Sequence, residues 1–331
     1  MIVLILVAVA TVATIAGITY QSMGAARDRG RFPPTGRLLD VGAGRHLHVV
    51  AEGKGTPAVI LESAIAASSL SWARVQPEIA RFTAAVAYDR AGLGWSDSAA
   101  PITLANVLAD LRVLISSAGP PPCVIAGHSF GAFVALSYAS AHPREVGGLV
   151  LVDPPTDWMA MSRQQGYLLR GASHLSRVGG MLARAGIVRA CLALLTGGAP
   201  AAPRTFVKVF GPSTARTLER LVGEVRKLPP EVHPRVQAAW CQPKCFSAMA
   251  GYLRVFAEAA ESVPSCRIAA DLPLVVITAA DQPADVVAAH EALARSSSRG
   301  RHIVATRSGH WVPFDEPELI VDAIRSIVEQ S

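Results

Sequence analysis

The sequence has few of the residues that mark disulfide-rich or metal-binding proteins. It contains five cysteines among 331 residues, an odd number with no pairing pattern. Cys241 and Cys245 are close together, but no histidine or second cysteine pair stands beside them at zinc spacing. We therefore expect free thiols, no metal site and no organic cofactor.

Patterns for nucleic acids and nucleotides are also missing. The formal charge of +6 is spread along the chain, with no basic stripe interleaved with aromatics, so we expect no nucleic-acid partner. Residues 88–94 contain glycines after a strand, but they lack the full dinucleotide pattern and the Walker lysine. We interpret this segment as a tight loop that Asp89 and Arg90 tie together and that Gly92 and Gly94 allow to turn. Nothing in the sequence indicates an oligomeric state.

The first part of the chain lacks charge. Residues 2–20 contain no charged side chain, and about 20 apolar residues cross a bilayer core. A cleaved signal peptide would have a basic segment before its apolar stretch, and none precedes residue 2 here, so we favour a membrane anchor. The arginines that follow should remain cytoplasmic and place the rest of the chain on that side: Arg27, Arg29 and Arg31.

The most informative motif is the Gly-His-Ser-Phe-Gly sequence at residues 127–131. It follows the apolar run 123–126 and precedes the helix-like segment 132–138, the strand–turn–helix context that a nucleophile elbow needs. The turn is so tight that the positions two before and two after the serine must be nearly free of side chain. We therefore predict Ser129 to be a nucleophile.

A serine nucleophile needs a base, and in this arrangement the base follows it in the chain. His310 lies in a glycine-containing loop between the strand-like residues 303–305 and a helix that opens near residue 315. We therefore predict His310 as the base. The other histidines after Ser129 fit surface or packing roles better: His142, His174, His233, His290 and His302.

Two aspartates are candidates for the acid that orients the base. Asp281 follows the apolar strand 272–278, directly before the histidine strand, as the chain order serine–acid–histidine favours. Asp153 ends the earlier strand 148–152 and would otherwise cap a loop. We favour Asp281 and keep Asp153 as the alternative.

With these motifs in order, the sequence resembles the α/β-hydrolases from about residue 38 to 328. The segments that carry the resemblance are residues 59–64, 88–97, 127–131, 149–153 and 309–313. It implies a mostly parallel, doubly wound α/β sheet with a helical cap inserted after the sixth strand. It also implies a Ser129–Asp281–His310 triad.

The same resemblance implies an oxyanion hole, which stabilises negative charge with backbone N–H groups. One donor should be the amide of Phe130 and the other that of Ile65 or Ala64. The chain departs from the family at Ser63–Ala64, where many members have His-Gly. Because alanine takes positive φ only at a cost in free energy, this departure predicts a different loop geometry from that of those members.

These assignments divide the chain. We predict a transmembrane anchor over residues 1–22, a juxtamembrane linker over 23–36, and a hydrolase core over 37–153 and 272–331. Residues 154–271 should form the cap. The clearest helical patterns in the cap are residues 175–195, 203–227 and 246–261.

Four aromatic side chains stand beside the predicted catalytic loops: Trp72, Trp95, His128 and Trp311. We predict that they line the substrate pocket; for the tryptophans, core packing is an equally good interpretation.

The expected function is that of a membrane-anchored serine hydrolase that cleaves an ester or related acyl bond of an apolar small molecule. Epoxide hydrolysis and dehalogenation are disfavoured, because the family members with those activities use aspartate at the nucleophile position. Acyl transfer, carbon–carbon bond hydrolysis, a haloperoxidase-like activity and ligand binding with little turnover are the alternatives.

Overall fold

A central sheet organises the protein. The computed structural model describes residues 1–99, 101–155, 163–196, 224–262 and 267–330. In these ranges the sheet has eight strands, in the order β1-β2-β4-β3-β5-β6-β7-β8. The strands are β1 (Arg37–Asp40), β2 (His46–Glu52), β3 (Val59–Glu62), β4 (Ala85–Tyr88), β5 (Cys123–His128), β6 (Val146–Val152), β7 (Leu274–Ala279) and β8 (Gly300–Ala305).

The sheet is antiparallel at β1–β2–β4 and parallel from β4 to β8. The central parallel strands are buried throughout their length, which explains why they read as continuous apolar runs. Because the strands are parallel, the loops that follow them meet at one edge of the sheet. The predicted catalytic residues follow β5, β6, β7 and β8, so their loops share that edge.

Helices cover both faces of this sheet. The helices before the cap are α1 (Ile2–Arg31), α2 (Gln76–Ile79), α3 (Leu104–Ala118) and α4 (Phe130–Ala141), with a 3₁₀ turn at Ser69–Trp72. Those after the cap are α9 (Ala284–Ala294), α10 (Val312–Asp315) and α11 (Pro317–Val328). Side chains of α3 and α4 pack on one face, and Trp72, α2 and α11 pack on the other.

The cap lies between β6 and β7, as predicted. Its described helices are α5 (Arg163–Arg184), α6 (Ile187–Thr196), α7 (His233–Trp240) and α8 (Pro243–Ser262). The single helical pattern predicted over 175–195 is two helices, because Gly186 takes φ +74° and breaks the chain direction. Most of the helix predicted over 203–227 lies outside the described residues.

The N-terminal helix is longer than the sequence indicated. It continues without a break to Arg31, so most of the segment predicted as a juxtamembrane linker is helical. One face of its second half packs on the cap, burying Gln21 and Ala25. The first part is apolar and exposed, and by length and composition α1 could cross a membrane; a signal sequence would meet the same criteria.

Candidate active site

Ser129 lies on a strained turn between β5 and α4. Its backbone has φ 54° and ψ −120°. Residues other than glycine rarely adopt such a positive φ. Gly127 and Gly131 are required by packing. A Cβ on Gly127 would lie 2.4 Å from the carbonyl oxygen of Gly131, and one on Gly131 would lie 2.2 Å from that of Glu62. The predicted elbow is therefore present, and it holds Ser129 half-exposed at the end of β5.

The imidazole of His310 binds Asp153 and not Asp281. Nδ1 of His310 lies 2.6 Å from Oδ2 of Asp153, whose side chain is fully buried. An ionised carboxylate only accepts hydrogen bonds, so Nδ1 carries the proton and Nε2 is left with its lone pair. The sequence-based choice of Asp281 as the acid is therefore wrong, and the alternative, Asp153, occupies that position.

Strand order explains this correction. β6 is the immediate neighbour of the nucleophile strand, whereas β7 is one strand further away. Asp153 also takes a left-handed φ of 43° directly after β6. Asp281 is exposed, and its carboxylate lies against the backbone of Gly309, where an added Cβ would be 3.3 Å from Oδ2.

The loop after β7 supports the acid instead of supplying it. The amide of Ala279 donates to Oδ1 of Asp153 at 3.1 Å, and the side-chain amide of Gln282 donates to Oδ2 at 2.7 Å. Burial by itself raises the pKa of Asp153. The hydrogen bonds and charge of His310, with the two amide donors, outweigh that effect and hold the pKa below its ordinary value. Asp153 is therefore an anion at neutral pH.

His128 joins the elbow to the histidine loop. Its Nε2 donates to the carbonyl oxygen of His310 at 2.7 Å, and the two rings lie 4.9 Å apart. Burial, with a further contribution from His310, lowers the pKa of His128 to about 3. His128 is therefore a neutral positioning group, and the structure does not use it as a titrating acid or base.

The strand end beside the elbow carries the predicted oxyanion loop. Ala64 is buried and Ile65 is half-buried against the core. Neither Ser63 nor Ala64 has a positive φ, so the loop does not need the glycine that many α/β-hydrolases have there. Phe130 begins α4, and the first N–H groups of a helix have no partner within it. The amide of Phe130 is thus available to a ligand at the elbow.

Arg90 fixes this loop from below, a role that sequence reasoning missed. Its buried guanidinium donates to the carboxylate of Glu62 and to the carbonyl oxygens of Ser63 and Ala64. The same group lies 5.1 Å from the centre of the Phe130 ring. Arg90 therefore connects both predicted oxyanion donors. Its position after a strand gave no signal of this, because its partners are distant in sequence.

The rest of the 88–94 loop is structural, as predicted. Asp89 accepts from the amides of Ser69 and Trp95 and from Nδ1 of His48. Gly92 and Gly94 both have positive φ.

Two predicted pocket residues are not at the site. Trp72 is fully buried in the core and donates from Nε1 to Oγ of Ser63 at 3.1 Å. Trp95 donates to the carbonyl oxygen of Phe32, at the end of α1. Trp311 remains beside the site: it is half-buried, stacks on Phe314 and lies 5.1 Å from the His128 ring.

A cavity of about 250 Å³ lies between the cap and the loop after β4. It has basic side chains in its wall, namely Arg177, Lys244 and Arg254. None of Ser129, Asp153 or His310 lines it, so it is separate from the arrangement around the elbow.

Comparisons with known proteins bear on the fold. A family model described as the alpha/beta hydrolase fold matches residues 57–177. Lipase LipV of Mycobacterium tuberculosis is 37% identical over 109 residues, which cover 33% of this chain and 41% of that protein. Epoxide hydrolase 4 of Mus musculus is 29% identical over 139 residues, covering 41% and 38%.

Solved structures match over nearly the whole chain. A thermophilic esterase from Thermogutta terrifontis superposes with a TM-score of 0.62 at 18% identity, covering 89% of this chain and 98% of that one. Epoxide hydrolase CorEH superposes with a TM-score of 0.63 at 17% identity, covering 89% and 99%. The protein therefore has the α/β-hydrolase fold. Its aligned segment spans about two fifths of the length of the curated relatives.

Proposed function

We propose that this protein is a membrane-anchored serine hydrolase that cleaves an ester or related acyl bond of an apolar small molecule. The observation that carries the proposal is the 2.6 Å hydrogen bond from His310 to Asp153, with Ser129 on a strained elbow beside it. We assign Ser129 as nucleophile, His310 as base and Asp153 as the acid.

The chemistry follows from the protonation states. Asp153 holds the Nδ1 proton of His310, so Nε2 can accept the proton of Ser129 as its oxygen attacks the acyl carbon. The tetrahedral intermediate carries an oxyanion, which the amides of Phe130 and of Ile65 or Ala64 would stabilise. His310 then gives its proton to the leaving alcohol. Water, activated by the same imidazole, hydrolyses the acyl-enzyme and restores Ser129.

The negative charge of Asp153 stabilises the stage of the reaction at which His310 is protonated. When His310 accepts a proton it becomes an imidazolium, and the ionised Asp153 lies at hydrogen-bond distance from it. Because Asp153 is buried, the attraction is screened less than it would be at the surface. His128 adds no competing positive charge at neutral pH, since burial lowers its pKa to about 3.

The nucleophile type selects among the chemistries of the relatives. Their names include a lipase, an esterase and epoxide hydrolases. Because epoxide-cleaving members use aspartate at the elbow, Ser129 favours acyl chemistry. The apolar helix α1 favours a membrane location and a poorly soluble substrate.

Active-site labelling tests the proposal. A fluorophosphonate reagent should label the unaltered protein and should not label Ser129→Ala. The control variant Ser116→Ala, at an exposed position of α3, should be labelled normally. His310→Ala should label very slowly, because the base is gone. Labelling that survives in Ser129→Ala would exclude the assigned nucleophile.

Turnover distinguishes the alternatives. Release of p-nitrophenol from esters of increasing chain length should depend on Ser129 and identify the preferred acyl group. If added alcohols capture the acyl group faster than water does, the enzyme is a transferase. Labelling of Ser129 without turnover of any ester would identify a ligand-binding protein.

A further inference from the structure

We propose that the outer face of cap helices α5 and α6 lies on the surface of an anionic phospholipid bilayer, the same bilayer that α1 crosses. The inference rests on the membrane anchor of the proposed function and adds a second contact, made by the cap. It follows from how α1 meets the cap, from the exposed side chains of α5 and α6, and from their charge.

The cap is fixed to α1 by close packing and polar contacts. A Cβ added to Gly17 would lie 2.2 Å from the carbonyl oxygen of Ala185, in the turn between α5 and α6. Gln21 donates to the carbonyl oxygen of Cys241 and accepts from Nε of Arg189, both at 2.9 Å. Arg189 also pairs with Asp28 at 2.7 Å. The cap and the second half of α1 are therefore packed together.

The height of this contact places the cap at a membrane surface. Arg27 is the first charged residue of α1, and Gly17 precedes it by about 15 Å along the helix axis at the usual rise. A span of about 20 residues that starts at Ile2 ends near Gln21. The residues that contact the cap therefore lie at the end of the span, where the bilayer surface begins.

Among the described residues, the outer side of α5 and α6 is apolar and exposed. Leu175 is 71% exposed, Leu168 66%, Met181 58% and Leu194 53%. The opposite side of α5, which includes Ser173, Ser176 and Ala183, is buried on the rest of the cap. Large apolar side chains grouped on one exposed face are typical of an interaction surface. On a helix that also carries charge, this pattern is typical of segments that lie in a membrane interface.

The charge of these helices selects the occupant. Two arginines of α5 are exposed beside the apolar side chains: Arg170 and Arg184. Neither α5 nor α6 contains an aspartate or a glutamate. Positive side chains beside an apolar face match an anionic lipid surface, in which the acyl region and the headgroups are adjacent. The bilayer around α1 offers both at the required height.

Depth-dependent fluorescence tests the contact on the full-length protein in nanodiscs. An environment-sensitive fluorescent amino acid is placed at one position at a time: Val9 in α1, Leu175 in α5, and Val304, a partly exposed apolar residue of β8. In nanodiscs with anionic phospholipid and brominated acyl chains, we expect strong quenching at Val9, several-fold quenching at Leu175 relative to Val304, and little quenching at Val304.

The three positions separate the possible failures. Quenching at Val9 without quenching at Leu175 would overturn the cap contact and leave the anchor intact. No quenching at Val9 would remove the anchor and with it this inference. A blue-shifted but unquenched reporter at Leu175 would show that protein covers the face, for example a second copy of the chain, and would also overturn the contact.

A charge comparison tests the lipid class. Arg170→Gln with Arg184→Gln should reduce quenching at Leu175 in anionic nanodiscs and leave Val9 unchanged, while Arg301→Gln on β8 should change neither. Zwitterionic nanodiscs should reproduce the loss in the unaltered chain. Equal quenching at Leu175 in both lipids would refute recognition of an anionic surface.

Discussion

Replacing Asp153 by Asn should nearly abolish hydrolysis, whereas Asp281→Asn should not. Asn has the same shape as Asp and is among the residues that tolerate a left-handed backbone, so φ 43° at this position is retained. The change removes the charge and replaces one acceptor oxygen by a donor. The functional effect therefore comes from the hydrogen bonds and not from the fold.

No orientation of the new amide satisfies its neighbours. With the NH₂ group at the position of Oδ2, it faces the proton on His310 Nδ1 and the donor amide of Gln282. With the group reversed, the NH₂ faces the amide N–H of Ala279. The first orientation turns His310 to the tautomer that carries its proton on Nε2, which cannot accept from Ser129. The equivalent change in a known serine–histidine–aspartate triad lowers kcat about 10⁴-fold, or about 5.5 kcal/mol.

The assay is steady-state hydrolysis of a p-nitrophenyl ester, with thermal unfolding as the check on folding. Asp153→Asn should lose about 10⁴-fold in kcat with a modest change in KM. Asp281→Asn is the matched control and should lose less than about tenfold, or about 1.4 kcal/mol. If Asp281→Asn is the more damaged enzyme while both variants remain folded, the assignment of Asp153 is refuted.

Three further predictions concern groups around the site. Arg90→Met should destabilise the protein by about 3–5 kcal/mol in chemical denaturation, because it leaves the Glu62 carboxylate buried without its ion-pair partner; Glu62→Gln in the same chain should restore part of the loss, and no restoration would contradict this cause. Burial lowers the pKa of His128 from 6.5 to about 3, so the contribution of neutral His128 to the free energy of unfolding is complete above about pH 6.5 and is lost as the pH falls toward 3. The free energy of unfolding should therefore drop by about 2 kcal/mol from this group between pH 7 and pH 5. His128→Gln should remove this part of the pH dependence of stability. Gly131→Ala should lower the melting temperature sharply, since its Cβ would lie 2.2 Å from a carbonyl oxygen, whereas Gly171→Ala, with open space around its Cβ, should have a neutral or slightly stabilising effect; equal melting temperatures for the two variants would refute the packing argument.

Local patterns predicted most of the fold. The buried strands are continuous apolar runs, and two glycines around a serine predict the turn between β5 and α4. The position of the cap also followed from sequence, because β-type runs stop after β6 and resume at β7. Each of these features depends on residues that are close together in the chain.

The sequence misled us where local patterns were equivalent. Asp153 and Asp281 both follow apolar strands, and chain order favoured Asp281. The linker after the predicted span is helical, and its apolar small residues pack on the cap. Trp72 and Trp95 stand next to catalytic loops in sequence, yet one is in the core and the other contacts the end of α1.

The amino-acid sequence by itself determined the strands, the elbow at Ser129, the loop of His310 and the apolar N-terminal helix, because each needs only its own residues' geometry and polarity. The tertiary structure decided which aspartate meets the imidazole, where Arg90 directs its hydrogen bonds, and how far α1 remains docked on the cap. The physical reason is that the order of strands in a sheet differs from their order in the chain. Partners such as Asp153 and His310 are brought together by packing across the sheet, and no local sequence pattern predicts the distance between them.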